Sequence, residues 1–295
     1  MATNVTTTAK DILGIFQPGS THMVGDGFPV RNLFPSNDLD RVVDPFLMLD
    51  YAGPQYFGPT DHPRGVGEHP HRGFETVTIV YEGVVAHRDS AGNAGVIGPG
   101  DVQWMTAASG VVHEEFHEKE FARKGGILHA IQLWVNLPKA SKMSAPGYQT
   151  ILSDAIPSVE LEGGNGLLRV IAGSFQGRQG SARTVTPIDL FDLQLNRGTQ
   201  TTLQLPDGHN SSFFVLQGSV TVNGSPPAGE AELVVCRREG SLVTLTAAEG
   251  SRLLVMSGQP IEEPIARYGP FVMNTKAELI QAVNDYQAGK MGHLS

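Results

Sequence analysis

The sequence predicts an all-β protein made of two barrel-like or sandwich-like halves, with a short helix at the C-terminal end. Short β-branched and aromatic runs, each bounded by turn residues, recur along most of the chain, as expected for such folds. The 295 residues include 35 Gly and 19 Pro, which suits many short strands and turns. This length also accommodates two domains of ordinary size.

Composition and charge set the broad class. Hydrophobic residues make up 40% of the chain and charged residues 17%, as in a soluble globular protein with a substantial core. The net charge of −9 argues against direct binding to nucleic acid, which depends on cationic contacts to phosphate. The single cysteine, Cys236, excludes an internal disulfide and fits a reducing compartment.

The N-terminal residues have no basic segment followed by an apolar run, as a secretory signal would. No apolar stretch approaches the roughly 20 residues that a membrane-spanning helix needs. We therefore expect a cytoplasmic protein with no membrane partner.

A polar stretch, "PKASKMSAPGYQTI", separates the two halves. The predicted domains are residues 1–145, which carry the candidate metal site, and residues 146–295, which end in a helix at about 275–289. The helix is predicted from a capping box of Thr275 and Glu278, and from Gly289 as the stop signal. Four residues are predicted to form its apolar face: Leu279, Ile280, Val283 and Tyr286.

Two pairs of polar residues indicate a metal site in the first half. His69 and His71 are two residues apart, and so are His113 and Glu115. Alternate residues of a strand point to the same face, so each pair can direct both side chains into one cavity. A single pair would also fit ordinary polar residues on an exposed strand. Two pairs beside strand-like runs favour a mixed nitrogen and oxygen site with room for water or substrate.

The stretch around these pairs resembles the two cupin motifs. The first motif is H-x-H followed by Glu and Gly, and the second is G-x-x-H. The matching residues are His69, His71, Glu75 and Gly83, then Gly110 and His113. The longer strings "HPHRGFETVT", "GDVQWMTA" and "IQLWVNLP" resemble the pirin family of cupins more specifically.

The resemblance to pirins implies a bicupin, with two cupin-like β-barrels or sandwiches. It implies a metal in the N-terminal cupin, bound by His69, His71, His113 and Glu115, and a metal-free C-terminal cupin. Glu75, which is a ligand in many other cupins, would not bind the metal here.

A faint internal repeat also predicts that the second half lacks a metal. "TIVYEGVVAH" aligns with "FFVLQGSVTV", which places Gly83 on Gly218. "ASGVVHEEF" aligns with "AEGSRLLVM". This second alignment pairs His113 with Leu253 and Glu115 with Val255, so apolar residues replace the candidate ligands.

Three neutral imidazoles and one carboxylate suit one divalent transition metal. Fe(II) is the favoured ion, and Ni, Cu, Mn, Co and Zn are alternatives, because the ligand types do not decide between them. Four protein ligands would leave up to two octahedral positions for a substrate and O2.

The resemblance leaves two main functions open. The first is a quercetin 2,3-dioxygenase type of enzyme that cleaves flavonols such as quercetin with O2 and releases carbon monoxide. Its partners would be a small phenolic substrate and O2, and Glu115 would act as ligand and general base. The second is an iron-dependent regulator that binds a transcription factor or a metabolic enzyme, with the metal as redox or conformational switch. A cupin isomerase or hydrolase is a weaker third interpretation.

The remaining polar residues near the motifs are predicted to have no metal-binding role. Glu114 is expected on the strand face opposite Glu115. The other histidines of the region and of the second half are interpreted as loop, rim or structural residues: His62, His87, His117, His129 and His209.

Overall fold

A computed structural model describes residues 8–35 and 39–294 of the chain. These residues form mostly β-strands, and their α-helices are Lys119–Lys124 (α1) and Lys276–Gln287 (α2). The prediction of an all-β fold with a short C-terminal helix is confirmed. The chain divides into two compact units, each assembled from separate segments. We name them the histidine unit (residues 19–32, 46–153 and 261–295) and the apolar unit (residues 1–18, 33–45 and 154–260).

The histidine unit contains two main antiparallel sheets. The larger sheet has seven strands in the order β12-β9-β6-β11-β4-β3-β2. Its strands are His22–Val24 (β2), Phe28–Phe34 (β3), Phe46–Phe57 (β4), Phe74–Glu82 (β6), Val102–Thr106 (β9), Gly126–Asn136 (β11) and Gly147–Ile151 (β12). The smaller sheet has the order β5-β10-β7-β8. Its strands are Gly65–His71 (β5), Val85–Asp89 (β7), Ala94–Ile97 (β8) and Val111–His117 (β10). Ala266–Tyr268 (β24) and Phe271–Met273 (β25) form a hairpin before α2.

The apolar unit repeats this plan with a second pair of sheets. The larger one has the order β1-β21-β19-β23-β17-β14-β13 and the smaller one has the order β18-β22-β20. The strands of the larger sheet are Ile12–Phe16 (β1), Ser158–Glu160 (β13), Gly166–Ala172 (β14), Ile188–Leu195 (β17), Asn210–Gln217 (β19), Leu233–Cys236 (β21) and Ser251–Gly258 (β23). Those of the smaller sheet are Thr199–Gln204 (β18), Val220–Val222 (β20) and Leu242–Ala247 (β22). Ser174–Phe175 (β15) and Arg178–Gln179 (β16) form a short hairpin.

The division into units differs from the predicted boundary between residues 145 and 146. The N-terminal strand β1 pairs with β21 of the apolar unit, where its backbone groups find hydrogen-bond partners. The C-terminal segment 261–295, including α2, belongs to the histidine unit. The sequence alone does not reveal to which unit these two terminal segments belong, because this depends on pairing between residues far apart in the chain.

Helix α2 begins and ends where the sequence predicts. Thr275 and Glu278 form the capping box, and Gly289 has a φ of 72° just beyond the helix. The predicted apolar face is partly wrong, because Ile280 is 55% exposed and Tyr286 is 39% exposed. The buried side is centred at Leu279 and Ala282, one position before Ile280 and Val283, and these two residues pack in a cluster with Phe271, Met273 and Met291. Neither helix in residues 8–35 and 39–294 is long and apolar enough to cross a membrane.

Candidate metal centre

Antiparallel pairing of β5 with β10 brings the histidine pairs together. His69 lies directly opposite His113, and His71 lies opposite Val111. The ring centroids of His69 and His71 are 4.9 Å apart, those of His69 and His113 are 4.2 Å apart, and those of His71 and His113 are 4.8 Å apart. One nitrogen of each ring lies within 4.8 Å of the corresponding nitrogens of the other two, so the three could hold a metal ion. This is the arrangement that the two-residue spacing predicts.

Each imidazole has a nitrogen available for a metal ion. The Nδ1 of His69 lies 2.8 Å from the carbonyl oxygen of Gly67, and the Nδ1 of His71 lies 3.4 Å from that of Pro270. A nitrogen that faces a carbonyl oxygen must carry the proton, so the Nε2 of each ring keeps its lone pair. The Nε2 of His113 is buried and has no hydrogen-bond partner within the described chain. The three rings therefore fit a metal ion held by Nε2 atoms, with backbone carbonyls orienting two of them.

The electrostatic environment keeps His71 and His113 neutral. Burial, and secondarily the neighbouring His69, lower the pKa of His71 to about 3. Burial also lowers the pKa of His113 well below its ordinary value, and His71, His69 and His87 act in the same direction. Because a metal binds the neutral imidazole, both rings are in the required state at neutral pH.

Glu115 lies beside the histidines and is held by three hydrogen bonds. Its Oε1 accepts from the hydroxyl of Thr78 at 3.2 Å and from the Nε2 of Gln103 at 3.0 Å. Its Oε2 accepts from the Nε2 of Gln132 at 2.8 Å. The carboxylate also forms a second potential ligand group with His113 and His87, within 4.8 Å. The four predicted ligands are thus arranged as two overlapping groups that share His113.

The hydrogen bonds around His87 fix which nitrogen of His113 is free. The amide of Gln103 must turn its Nε2 toward the Glu115 carboxylate, which only accepts, and that same Nε2 lies 3.4 Å from the Nδ1 of His87. The Nδ1 of His87 therefore accepts, and its Nε2 donates to Asp89 across 3.4 Å. The Nδ1 of His113, 3.3 Å from the Nδ1 of His87, must then be the donor. This leaves the lone pair of the His113 Nε2 available for a metal ion.

Asp89 is well suited to accept the last hydrogen bond of this series, which runs from His113 through His87. Burial by itself raises the pKa of Asp89, but hydrogen bonds from His87 and Asn93 outweigh burial and hold the pKa below its ordinary value. The ionised carboxylate therefore faces the Nε2–H of His87. A carboxylate behind a histidine that contacts a ligand is a common way to orient that ligand and raise its basicity.

A pocket opens beside the histidines and contains about 490 Å³ of empty space, its mouth included. His69 and Glu115 both line it, so a molecule in the pocket would contact the candidate metal centre. The rest of the lining is mostly apolar, with three further polar side chains: Asp50, Thr78 and Gln132. Such a mixture of apolar walls and a few polar groups is typical of small-molecule sites.

The structure places Glu114 and Glu75, the two other acidic residues of the motifs, away from the candidate metal centre. Glu114 forms an ion pair with Arg88 on the outer side of β10, as its alternation predicts. Glu75 lies three residues before Thr78 on β6 and so points to the opposite face of the sheet. Its Oε1 accepts a hydrogen bond of 2.6 Å from the hydroxyl of Thr106.

His87, interpreted as a structural residue, is buried, contacts His113 and also belongs to a potential ligand group, which the sequence interpretation did not include. The signal available in the sequence was its two-residue spacing from Asp89, the same spacing as in the two recognised pairs. His117 is structural: its Nε2 donates to the carbonyl of Gly27 at 2.9 Å, and its ring packs on Phe28. His62 is exposed in its loop, as expected.

Comparison with protein families matches two parts of the chain. Residues 27–135 match the family model described as Pirin. Residues 190–292 match the model described as the Pirin C-terminal cupin domain. The chain belongs to the pirin family. The recognised resemblance and the bicupin architecture are both confirmed.

Relatives and solved structures cover nearly the whole chain. A protein of Pseudomonas aeruginosa, provisionally named a quercetin 2,3-dioxygenase, is 51% identical over 95% of this chain and 98% of its own length. A pirin-like protein of Solanum lycopersicum is 39% identical over 91% of this chain and 88% of its own length. The crystal structure of quercetin 2,3-dioxygenase from Acinetobacter baumannii is 49% identical, with a TM-score of 0.94, and covers 98% of this chain and 100% of the crystallised one.

Proposed function

We propose that this pirin is a metal-dependent dioxygenase that cleaves flavonols such as quercetin. In this reaction both atoms of O2 enter the ring-opened product, and one ring carbon leaves as carbon monoxide. The observation that carries the proposal is the pocket whose lining includes both His69 and Glu115. The names of the relatives from Pseudomonas aeruginosa and Acinetobacter baumannii agree with it.

The proposed metal ligands are His69, His71, His113 and Glu115. Fe(II) is the proposed ion, with Ni, Cu, Mn, Co or Zn as alternatives, since mixed imidazole and carboxylate sites accept all of them. The bound ion would supply a positive centre that binds the flavonol oxygens and O2. The three Nε2 atoms would hold it on one side and leave the pocket side open.

Glu115 is the proposed general base. A flavonol must lose the proton of its 3-hydroxyl group before it can react with O2, and a carboxylate at the pocket wall can accept that proton. The donors Thr78, Gln103 and Gln132 fix the orientation of both carboxylate oxygens. Orientation of this kind lets the base meet the hydroxyl without rearranging first.

The test is aerobic turnover of quercetin by the metal-loaded protein, with detection of carbon monoxide. Glu115→Gln keeps the shape and one oxygen but removes the base, so we expect kcat to fall by about 10²–10⁴-fold. Metal content should fall far less, because three histidines remain. Glu114→Gln is the matched control, since Glu114 pairs with Arg88 away from the pocket.

Two results would count against the proposal. Equal and small effects of the two substitutions would exclude Glu115 as the base. Wild-type protein that binds iron but turns over no flavonol would favour the regulatory alternative, in which a protein partner responds to metal occupancy.

A further inference from the structure

A row of polar side chains crosses the large sheet beneath Glu115. Asp50 on β4 lies directly opposite Gln132 on β11, Gln132 lies opposite Thr78 on β6, and Thr78 lies opposite Gln103 on β9. Three of these four residues donate hydrogen bonds to Glu115. Asp50, at the end of the row, is the exception and carries a carboxyl group of its own.

Asp50 is buried in a mostly apolar part of the pocket. It is 8% exposed, and its neighbours in the pocket lining include Val30, Ala52 and Ala130. Among the described residues, its one hydrogen bond comes from the Nδ2 of Asn32, which donates to Oδ1 at 2.8 Å. Placing a carboxyl group in an apolar wall costs free energy unless its oxygens find partners. Asn32 therefore hydrogen-bonds to one carboxyl oxygen of Asp50, and the other oxygen is available to a ligand.

The strand register sets the distance between Asp50 and the metal centre. Neighbouring strands are about 4.8 Å apart, so Asp50 lies one strand from Gln132 and two strands from Thr78, or about 5–10 Å. Both of those residues bind Glu115. A ligand of one or two linked rings, with an oxygen at each end, can reach from the histidines to Asp50.

We propose that Asp50 binds a second hydroxyl group of the phenolic substrate, remote from the oxygens that meet the metal. The proposal rests on the proposed flavonol site and adds a specificity-determining residue to it. A phenolic hydroxyl donates to the free carboxyl oxygen, while the aromatic ring packs against the apolar lining. A substrate without that hydroxyl leaves a buried carboxyl unpaired, and sites of this kind reject such analogues strongly.

The test is a double-mutant cycle between Asp50 and the hydroxyl groups of the ligand. Dissociation constants are measured by calorimetry, without oxygen, on metal-loaded wild type, Asp50→Asn and Asp50→Leu. The probes are 3-hydroxyflavone, flavonols with added hydroxyls on one ring or the other, and the same flavonols with the added hydroxyl methylated. We expect wild type to prefer one added hydroxyl by about tenfold or more, since a hydrogen bond to a carboxylate has that strength.

Asp50→Leu should remove this preference, because it removes both the acceptor of the added hydroxyl and the carboxyl that 3-hydroxyflavone leaves unpaired. Asp50→Asn keeps one of the two acceptor oxygens, so Asn32 and the ligand hydroxyl compete for it, and the preference should be reduced without being abolished. Asp189→Asn is the matched control, because Asp189 is a similarly buried carboxyl in the apolar unit. It should leave the preference unchanged.

The outcomes separate this proposal from the proposed function. If wild type cleaves flavonols but the hydroxyl preference is the same in all variants, Asp50 is structural and the dioxygenase proposal stands. If the preference depends on Asp50 but no flavonol is cleaved, the subsite stands and the dioxygenase proposal falls. Wild type that binds no hydroxylated flavonol better than 3-hydroxyflavone overturns the subsite.

Discussion

The histidine unit and the apolar unit have the same arrangement of strands, but the side chains at equivalent positions of those strands differ. β6 and β19 lie at equivalent places in their large sheets, and each is followed by a glycine with positive φ, Gly83 at 86° and Gly218 at 76°. Thr78 and Phe213 each lie five positions before the glycine of their unit. In the histidine unit the row through Thr78 is polar: Asp50, Gln132, Thr78 and Gln103. In the apolar unit the equivalent row is Phe191, Val255, Phe213 and Val234.

The smaller sheets differ in the same way. Val85 and Val220 each follow their glycine by two residues, and they pair with His117 and Ala247 respectively. This register makes β22 the counterpart of β10. The counterparts of His69, His87, His113 and Glu115 are then Leu203, Val222, Val243 and Leu245. All four of these belong to the buried apolar cluster of the unit. The fold therefore does not need polar residues at these places, and their presence in the histidine unit reflects its site.

The first prediction compares the two equivalent positions of the large sheets. Phe213 is fully buried, so Phe213→Ala should lower the free energy of unfolding by about 3–5 kcal/mol. Thr78→Ala removes one hydrogen bond and little volume, and should cost about 1 kcal/mol. Denaturant unfolding of both variants measures the difference. Equal losses in the free energy of unfolding would show that the polar row and the apolar row contribute to stability in the same way.

A second prediction uses Glu75, whose counterpart in the apolar unit is the neutral Asn210. Burial raises the pKa of Glu75 to about 7 from an ordinary 4.5. The folded state therefore holds a proton that the unfolded state releases, and stability falls as pH rises from about 4.5 to about 7. Gln has no proton to release in this range. Glu75→Gln should therefore avoid the part of this loss that Glu75 causes, which is up to about 3 kcal/mol of the free energy of unfolding.

The check is denaturant unfolding of wild type and Glu75→Gln across this range of pH. The variant should gain stability relative to wild type between about pH 4.5 and pH 7, and the gain should be constant above that range. A gain that is independent of pH would show that Glu75 is ionised in the folded protein throughout.

A third and smaller effect is expected at His87. His87→Val installs the apolar counterpart, Val222, and removes the contact that orients His113. Substitution of a residue that orients a ligand typically weakens metal binding by about 10–100-fold. Competition with a chelator measures the metal affinity. Glu114→Gln, one strand away on the outer face, serves as the control, and an unchanged affinity in His87→Val would refute the orienting role.

The sequence predicts the ligand pairs because their spacing is local. His69 with His71, and His113 with Glu115, each lie within one strand, where alternation alone puts two side chains on one face. The polar row could not be predicted, because its members are spread over four strands and only the register aligns them. The same limit explains why the predicted match of His113 with Leu253 is wrong. Gly110 comes just before β10, whereas Gly250 comes just before β23, the counterpart of β11, so the sequence repeat aligned strands that do not correspond.

The most direct test of this contrast is the metal content of the protein by elemental analysis. The account predicts about one transition-metal ion per chain, bound in the histidine unit. His113→Val, which copies Val243 of the apolar unit, should remove the ion, and His209→Ala, in the apolar unit, should retain it. Two ions per chain, loss of the ion in His209→Ala, or no ion in wild type after reconstitution would contradict the account.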